Sequence, residues 1–200
     1  MAAIEPSAVD AAWVSVETPL SAARLAEFCR DVERLYRINP YLEFRRWARE
    51  GTAGFDASWR NLSNQRDLDL RLTLEHGSDR EFAVRYDRGL KTSTRFSIED
   101  TPRGSRLVIT DDYNGAERSG AIDISEVDKS LHAWGVALHE YLRREARWGR
   151  YALWRWYMRR VWLPMKPAAR RITFVILVVT LGEIALIALV MAIYWVEYLR

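Results

Sequence analysis

A short run rich in β-branched residues, Ala11 to Thr18 (AAWVSVET), reads as the first strand. Pro19-Leu20-Ser21 interrupts it, and Ser21 is placed to cap a helix. In the next segment Leu25, Phe28, Val32, Leu35 and Tyr36 recur at intervals of three and four, the helical period, and Asp31 divides it into two short helices. Asn39-Pro40 ends them, because the residue before a proline is driven out of the helical region. The period then changes to two. Tyr41 to Ala48 is one strand-like run, and Phe55, Ala57 and Trp59 alternate in the next. Leu68, Leu70, Leu72 and Leu74 alternate with Asp67, Asp69, Arg71 and Thr73, the clearest such signal in the chain. Turn formers at His76-Gly77-Ser78-Asp79, Asp87-Arg88-Gly89 and Thr101-Pro102-Arg103-Gly104 bound three more strands, marked by Phe82/Val84/Tyr86, by Phe96/Ile98 and by Arg106 to Tyr113. After Asn114-Gly115 and an irregular stretch, a long helix is predicted from Asp128. Leu131, Trp134, Leu138, Tyr141 and Trp148 form its stripe, and the pattern runs on to Leu163, where Pro164 and Pro167 stop it.

Strand, helix pair, six strands and long helix make an α+β domain. Its seven-stranded curved antiparallel sheet has one apolar face, and the long aromatic helix is the element available to cover it. This order resembles the START-like helix-grip superfamily, also labelled SRPBCC, which includes polyketide cyclases and dehydratases, lipid-transfer domains and plant allergens. The local run VSVETPLSAARLAEFCRDVERLYRINPYLEF is similar to the start of that family: strand, proline, helix with Phe, then Asn-Pro before the second strand. The resemblance spans residues 10–150. It implies a helix-grip fold with a cavity between sheet and long helix for a lipid, sterol, polyketide or other apolar molecule. Trp59, Leu70, Leu72, Tyr86, Phe96, Ile109 and Trp134 are the residues suited to line it. The same side chains would equally fill a solid core, and alternation alone does not separate the two.

The C-terminal segment departs from the simplest, soluble members of that family. Ile172 to Trp195 (ITFVILVVTLGEIALIALVMAIYW) is 24 residues long with one charge, Glu183. As a helix it reaches about 36 Å, against a hydrocarbon core of about 30 Å. Only Val196 to Arg200 lie beyond it, so the expectation is a tail-anchored, single-pass protein. Arg155, Arg159, Arg160, Lys166, Arg170 and Arg171 precede the span and Arg200 alone comes after it. The positive-inside bias therefore sets the N-terminal part in the cytoplasm, on the inner (cytoplasmic) membrane. The first ten residues, MAAIEPSAVD, lack both the basic start and the apolar run of a signal peptide. The expected divisions are a helix-grip domain (1–142), a basic aromatic extension of its last helix (143–171), a transmembrane helix (172–195) and a short tail (196–200).

Charge sharpens this division. The net charge of +3 averages two unlike parts: residues 143–171 hold ten Lys/Arg and one Glu, and the rest hold twenty basic and twenty-six acidic groups. The basic balance thus reports one local block rather than a nucleic-acid-binding surface. In that block Trp148, Trp154, Trp156 and Trp162 interleave with Arg155, Arg159 and Arg160, a composition suited to the headgroups of an anionic leaflet. Arginine with aromatics also binds single-stranded nucleic acid, but adjacency to the span favours the membrane. Glu183 falls near the middle of the apolar run, where a charged side chain costs about 2.5–3.5 kcal/mol. It is either protonated in lipid or in contact with another membrane helix, for which Gly182, Ala185 and Ala192 supply small-residue packing. The expected partners are the membrane, an apolar small molecule or lipid, and an integral membrane protein at Glu183.

Candidate chemistry is sparse. The single cysteine, Cys29, excludes an internal disulfide and any multi-cysteine zinc or iron–sulfur site, and it reads as a small buried hydrophobe. His132 and His139 share a helix face but lie about 10 Å apart, too far to bind one metal ion. His139-Glu140 lacks the second histidine of a zinc-protease motif, and no serine-nucleophile elbow, phosphate loop or dinucleotide fingerprint is present. Asp67/Asp69 alternate with leucines and face solvent, while Asp111/Asp112 are expected to serve a turn with Asn114-Gly115. No metal, cofactor or catalytic residue is assigned. A cyclase-like activity would have to draw on Tyr86, Arg85, Tyr113 or His132. Three readings stand: first a membrane-anchored binder of an apolar ligand, then a non-catalytic accessory subunit of an integral membrane complex, then a cyclase or dehydratase-like enzyme.

Overall fold

A computed structural model describes residues 11–89, 91–113 and 124–198; the first ten residues, the Asn114-Gly115 turn and Arg200 lie outside the described residues. The chain forms two compact units, Met1–Pro164 and Met165–Arg200. In the first unit the strands are β1 (Ala11–Thr18), β2 (Leu42–Glu50), β3 (Gly54–Asn61), β4 (Arg66–Ser78), β5 (Glu81–Tyr86), β6 (Ser93–Thr101) and β7 (Gly104–Asp112). They form one seven-stranded sheet in the order β1-β7-β6-β5-β4-β3-β2, antiparallel throughout. The helices α1 (Ala22–Cys29) and α2 (Val32–Arg37) lie in the connection that carries the chain from the β1 edge to the β2 edge. The long helix α3 (Ile124–Trp148) comes after the last strand.

Local chemistry accounts for the helix pair. Ser21 Oγ accepts from the Arg24 amide at 3.5 Å, and Asp31 Oδ1 accepts from the Arg34 amide at 3.1 Å, so each helix has a side-chain cap at its start. Leu25, Phe28, Val32, Leu35 and Tyr36, the residues of the predicted stripe, are all buried. Across the sheet, alternation and register place apolar side chains in rows on one face. Val14, Ile109, Phe96 and Phe82 stand opposite one another from β1 to β5, and Val16, Leu107 and Ile98 form a second row. In β2 a bulge between Phe44 and Arg46 resets the parity. Phe44 stands opposite Trp59 and Trp47 opposite Ala57, so two aromatic residues three positions apart share the inner face.

The long helix is fastened to this face at several points. At Gly135 the helix runs so close to β1 that an added Cβ would sit 2.5 Å from Val14 Cγ2. The Trp134 indole donates to Leu35 O at 3.0 Å, and His139 Nδ1 lies 2.8 Å from Glu17 O. Leu131, Trp134, Leu138, Tyr141 and Leu142 are buried along it.

Two boundaries differ from the pattern of the sequence. The helix does not continue to Leu163: α3 ends at Trp148, α4 (Ala152–Tyr157) begins after a break at Gly149–Tyr151, and a π turn succeeds it at Met158–Trp162. Arg155 Nη1 donates to Gly149 O at 2.8 Å and Arg150 O at 3.0 Å, satisfying carbonyls that the break leaves open. Nor does Pro167 stop a helix. It opens α5 (Pro167–Tyr198), because a first-turn residue needs no amide hydrogen. α5 makes up the second unit's helix of 32 residues. Its mean hydropathy of 2.7 over 18 residues makes it long and apolar enough to cross a membrane.

Candidate functional site

The inner face of the sheet carries an aromatic wall at its β2–β3 end. Tyr36 of α2 is the hub, with ring centroids 5.2 Å from Trp134, 5.9 Å from Trp47 and 6.1 Å from Trp59. Phe44 meets Trp59 at 5.4 Å and Trp47 at 5.8 Å, and Trp47 meets Phe55 at 5.3 Å. Tyr36, Trp59 and Trp134 are buried, whereas Phe44, Trp47 and Phe55 are only partly so. Aromatic contacts of this kind add roughly 0.5–1.5 kcal/mol each beyond the area they bury.

A chain of polar groups starts at the same hub. Tyr36 Oη lies 2.5 Å from Tyr86 Oη, which lies 2.8 Å from Thr94 Oγ1, and Thr94 donates to Asp111 Oδ1 at 2.6 Å. Asp111 is 0% exposed. Its other oxygen accepts from the Lys91 ammonium, and from Tyr113 Oη at 3.2 Å. Lys91 is half-buried, so the carboxylate is linked to the surface through its counter-ion. Burial drives both the Tyr36 and the Tyr86 phenols well above the usual tyrosine range, and the negative charge of Asp111 adds to this. A second buried cluster joins α2 to α3. Arg34 donates to Tyr141 Oη from Nε at 3.1 Å and from Nη2 at 2.8 Å, and its Nη2 lies 3.1 Å from Glu145 Oε2. Its guanidinium also sits 4.5 Å from the centre of the Phe28 ring.

No protein-family model and no curated protein sequence matches the chain. Solved structures do. An aromatase/cyclase, Zhui, from Streptomyces sp. R1128 is similar with a TM-score of 0.52 at 16% identity, over 72% of this chain and 96% of that one. A START superfamily protein from Mycobacterium smegmatis gives a TM-score of 0.50 at 15% identity, over 66% of this chain and 97% of that one. A protein from Nitrosomonas europaea gives 0.52 at 8% identity, over 71% and 99%. The fold is a helix-grip.

Within the helix-grip domain, the residues expected to line a cavity come together. Trp59, Leu70, Leu72, Phe96, Ile109 and Trp134 are buried in one core, and Tyr86 is half-buried with its hydroxyl in the polar chain. Of the polar candidates, Tyr113 reaches Asp111, whereas Arg85 is exposed and paired with Glu75 at 2.7 Å, and His132 is exposed. The expectation for Asp111 is corrected. It lies inside the grip on the same parity as Leu107 and Ile109, and its partners among the described residues are Lys91, Thr94 and Tyr113. That parity was the available signal. Phe44 and Trp47 were hidden by the bulge, and Tyr36 was visible only as a helix-stripe residue. Among the described residues, no three His, Cys, Asp or Glu side chains are grouped to hold a metal ion.

The basic aromatic block splits in two. Trp154, Tyr157 and Trp162 pack against the core, with the Trp162 ring 5.7 Å from Tyr141, and Met158 is buried. Trp148, Tyr151, Leu153 and Trp156 point outward, the last two 76% and 58% exposed, among exposed Arg155, Arg159 and Arg160. On α5, Gly182, Glu183, Ala185 and Ala192 are all exposed.

Proposed function

We propose that this protein is a membrane-anchored helix-grip domain that binds an apolar ligand, a lipid or similar molecule, at the cytoplasmic surface of the inner membrane. The observation that carries the ligand is the aromatic wall with half-buried rings at one end of the grip and a hydrogen-bonded polar chain behind it. Such a mixture, mostly apolar with a few placed polar groups, is how small-molecule sites are built. The membrane part is supported by the apolar α5 and by the outward Trp148, Tyr151, Leu153 and Trp156 beside arginines. Each arginine near an anionic leaflet adds about 1 kcal/mol of attraction.

Native mass spectrometry of the full chain, extracted from its own membrane in mild detergent, tests this. The expected result is one apolar species bound at no more than one per chain, distinct from the broad set of bilayer lipids. Chains that carry no such species, but carry a stoichiometric protein that is lost in Glu183→Leu, would replace the ligand reading by the accessory-subunit one. That alternative rests on Glu183, the one charged residue in the Ile172–Trp195 run of α5.

A further inference from the structure

The sheet ends at β1, and half of that strand's backbone groups are left over. In β7 the Asp112 carbonyl accepts from the Thr92 amide at 2.9 Å, on the side of β6. Residues of a central strand face their two neighbours in turn, so Asp112 faces away from β1. Ala11, its partner across the ladder, then turns its own N–H and C=O outward, and so does every second residue after it: Trp13, Ser15 and Glu17. Glu17 agrees with this, since its carbonyl is held from outside the sheet by His139 Nδ1 of α3 at 2.8 Å. Among the described residues, nothing pairs with the outward backbone groups of Ala11, Trp13 and Ser15. The side chains of these three are exposed, Trp13 to 69%. Free edges are commonly guarded by charge, proline or a bulge. From Ala11 to Val16 there is no charge and no proline, and the register with β7 is unbroken.

We propose that β1 is the contact between two copies of this chain, paired antiparallel about a two-fold axis at Trp13. Trp13 then stands opposite the partner's Trp13, and Ala11 opposite the partner's Ser15. Each such pair exchanges two backbone hydrogen bonds, which satisfies the outward groups of all three residues. The two indoles meet as a cross-strand aromatic pair on the outer face of the sheet. Charge permits this register. The Glu17 residues of the two copies lie about 27 Å apart along the strands, well beyond the Debye length of about 8 Å in physiological salt. A two-fold contact uses the same strand on both copies and closes at two. So short a pairing is a small interface, and copies concentrated in one membrane, as the proposed anchor would hold them, form it most readily. The proposal does not depend on what the grip binds.

Oxidative cross-linking of the full chain in proteoliposomes tests the register. Cys29 is 1% exposed and stays out of reach, so the introduced thiols report alone. On the axis, position 13 meets itself at about 5.5 Å between Cα atoms, within disulfide reach, whereas position 15 lies about 15 Å from its own copy. Trp13→Cys is therefore expected to form a disulfide-linked dimer, and Ser15→Cys alone is not. Ala11→Cys chains mixed with Ser15→Cys chains should join to one another. Light scattering of the unaltered chain in mild detergent should show two chains per particle at high concentration. Ser15→Pro loses no bond to β7, because its N–H faces outward, but it obstructs the edge. It should raise the concentration for half-association about tenfold or more. An unaltered chain that stays single at every concentration would overturn the proposal. So would equal cross-linking at positions 13 and 15, which marks random collision, and so would a dimer that survives Ser15→Pro, which is held by another surface such as α5.

Discussion

A methyl group added at Gly135 has nowhere to go, because Val14 Cγ2 would lie 2.5 Å away on the facing strand. Gly135→Ala gains about 1 kcal/mol of helix propensity but loses roughly 1–3 kcal/mol to overpacking. Thermal unfolding of the full chain in detergent should therefore show a net loss, and Gly135→Ala combined with Val14→Ala should lose less than the two single losses added together. The buried phenols give a second expectation. In the unfolded chain a tyrosine loses its proton near its ordinary 10.0, while Tyr36 and Tyr86 hold theirs to higher pH because burial disfavours the charged form. Above pH 10.0 the unfolded state then binds fewer protons than the folded one. Stability falls as pH rises, by up to about 1.4 kcal/mol per pH unit for each phenol. Denaturant midpoints at pH 9 and pH 11 should show this drop, and Tyr36→Phe should make it shallower. At this scale the sequence was legible where a residue obeys its strand's parity. Leu70, Leu72, Phe96 and Ile109 face inward as their alternation requires, and so does Asp111, which its charge and its place near a strand end disguised.

Among elements, the junction of α2 and α3 depends on one cation. Arg34 serves Tyr141 and Glu145 at once, and both members of the ion pair are largely withdrawn from water. Removing it strands a carboxylate, so Arg34→Met should cost about 3–5 kcal/mol, and Arg34→Met with Glu145→Gln should cost less. Unfolding curves of the two variants, read by the intrinsic tryptophan signal, check the order. The seven strands and the helix pair were visible because each has a clean period and a turn or cap at its ends: Ser21, Asp31 and the Thr101–Gly104 turn punctuate the chain where the structure does. The end of α3 was not visible. The helical period persists through the break, and what ends the helix is the turn at Gly149 together with the reach of Arg155 to two carbonyls. The bulge in β2 is likewise silent in the sequence, because only the pairing with β3 reveals the extra residue.

For the molecule as a whole, the sequence divides into a charged, mixed-period part and a part dominated by one long apolar run, and the structure has a compact unit for each. If α5 is the proposed anchor, the protein stays with the membrane after alkaline carbonate extraction. Protease should then reach the sheet domain in inside-out vesicles but not in intact cells, and the opposite protection would reverse the proposed orientation. The aromatic wall was less legible than the fold, since three of its rings, on Tyr36, Phe44 and Trp47, are brought together only by the tertiary arrangement and the β2 bulge. The bulge that turns Phe44 and Trp47 to one side also shapes the outside of the molecule. β2 is a terminal strand of the sheet, and it presents Glu43, Arg45, Arg46, Arg49 and Glu50 along with an interrupted backbone. A strand from another copy would find neither an unbroken row of amides to pair with nor a neutral rim to lie beside. Proteins confined to a bilayer meet sideways far more often than proteins free in solution. If α5 holds the protein in a bilayer as proposed, a blunted margin of this kind lets many copies share a crowded patch without stacking into ribbons.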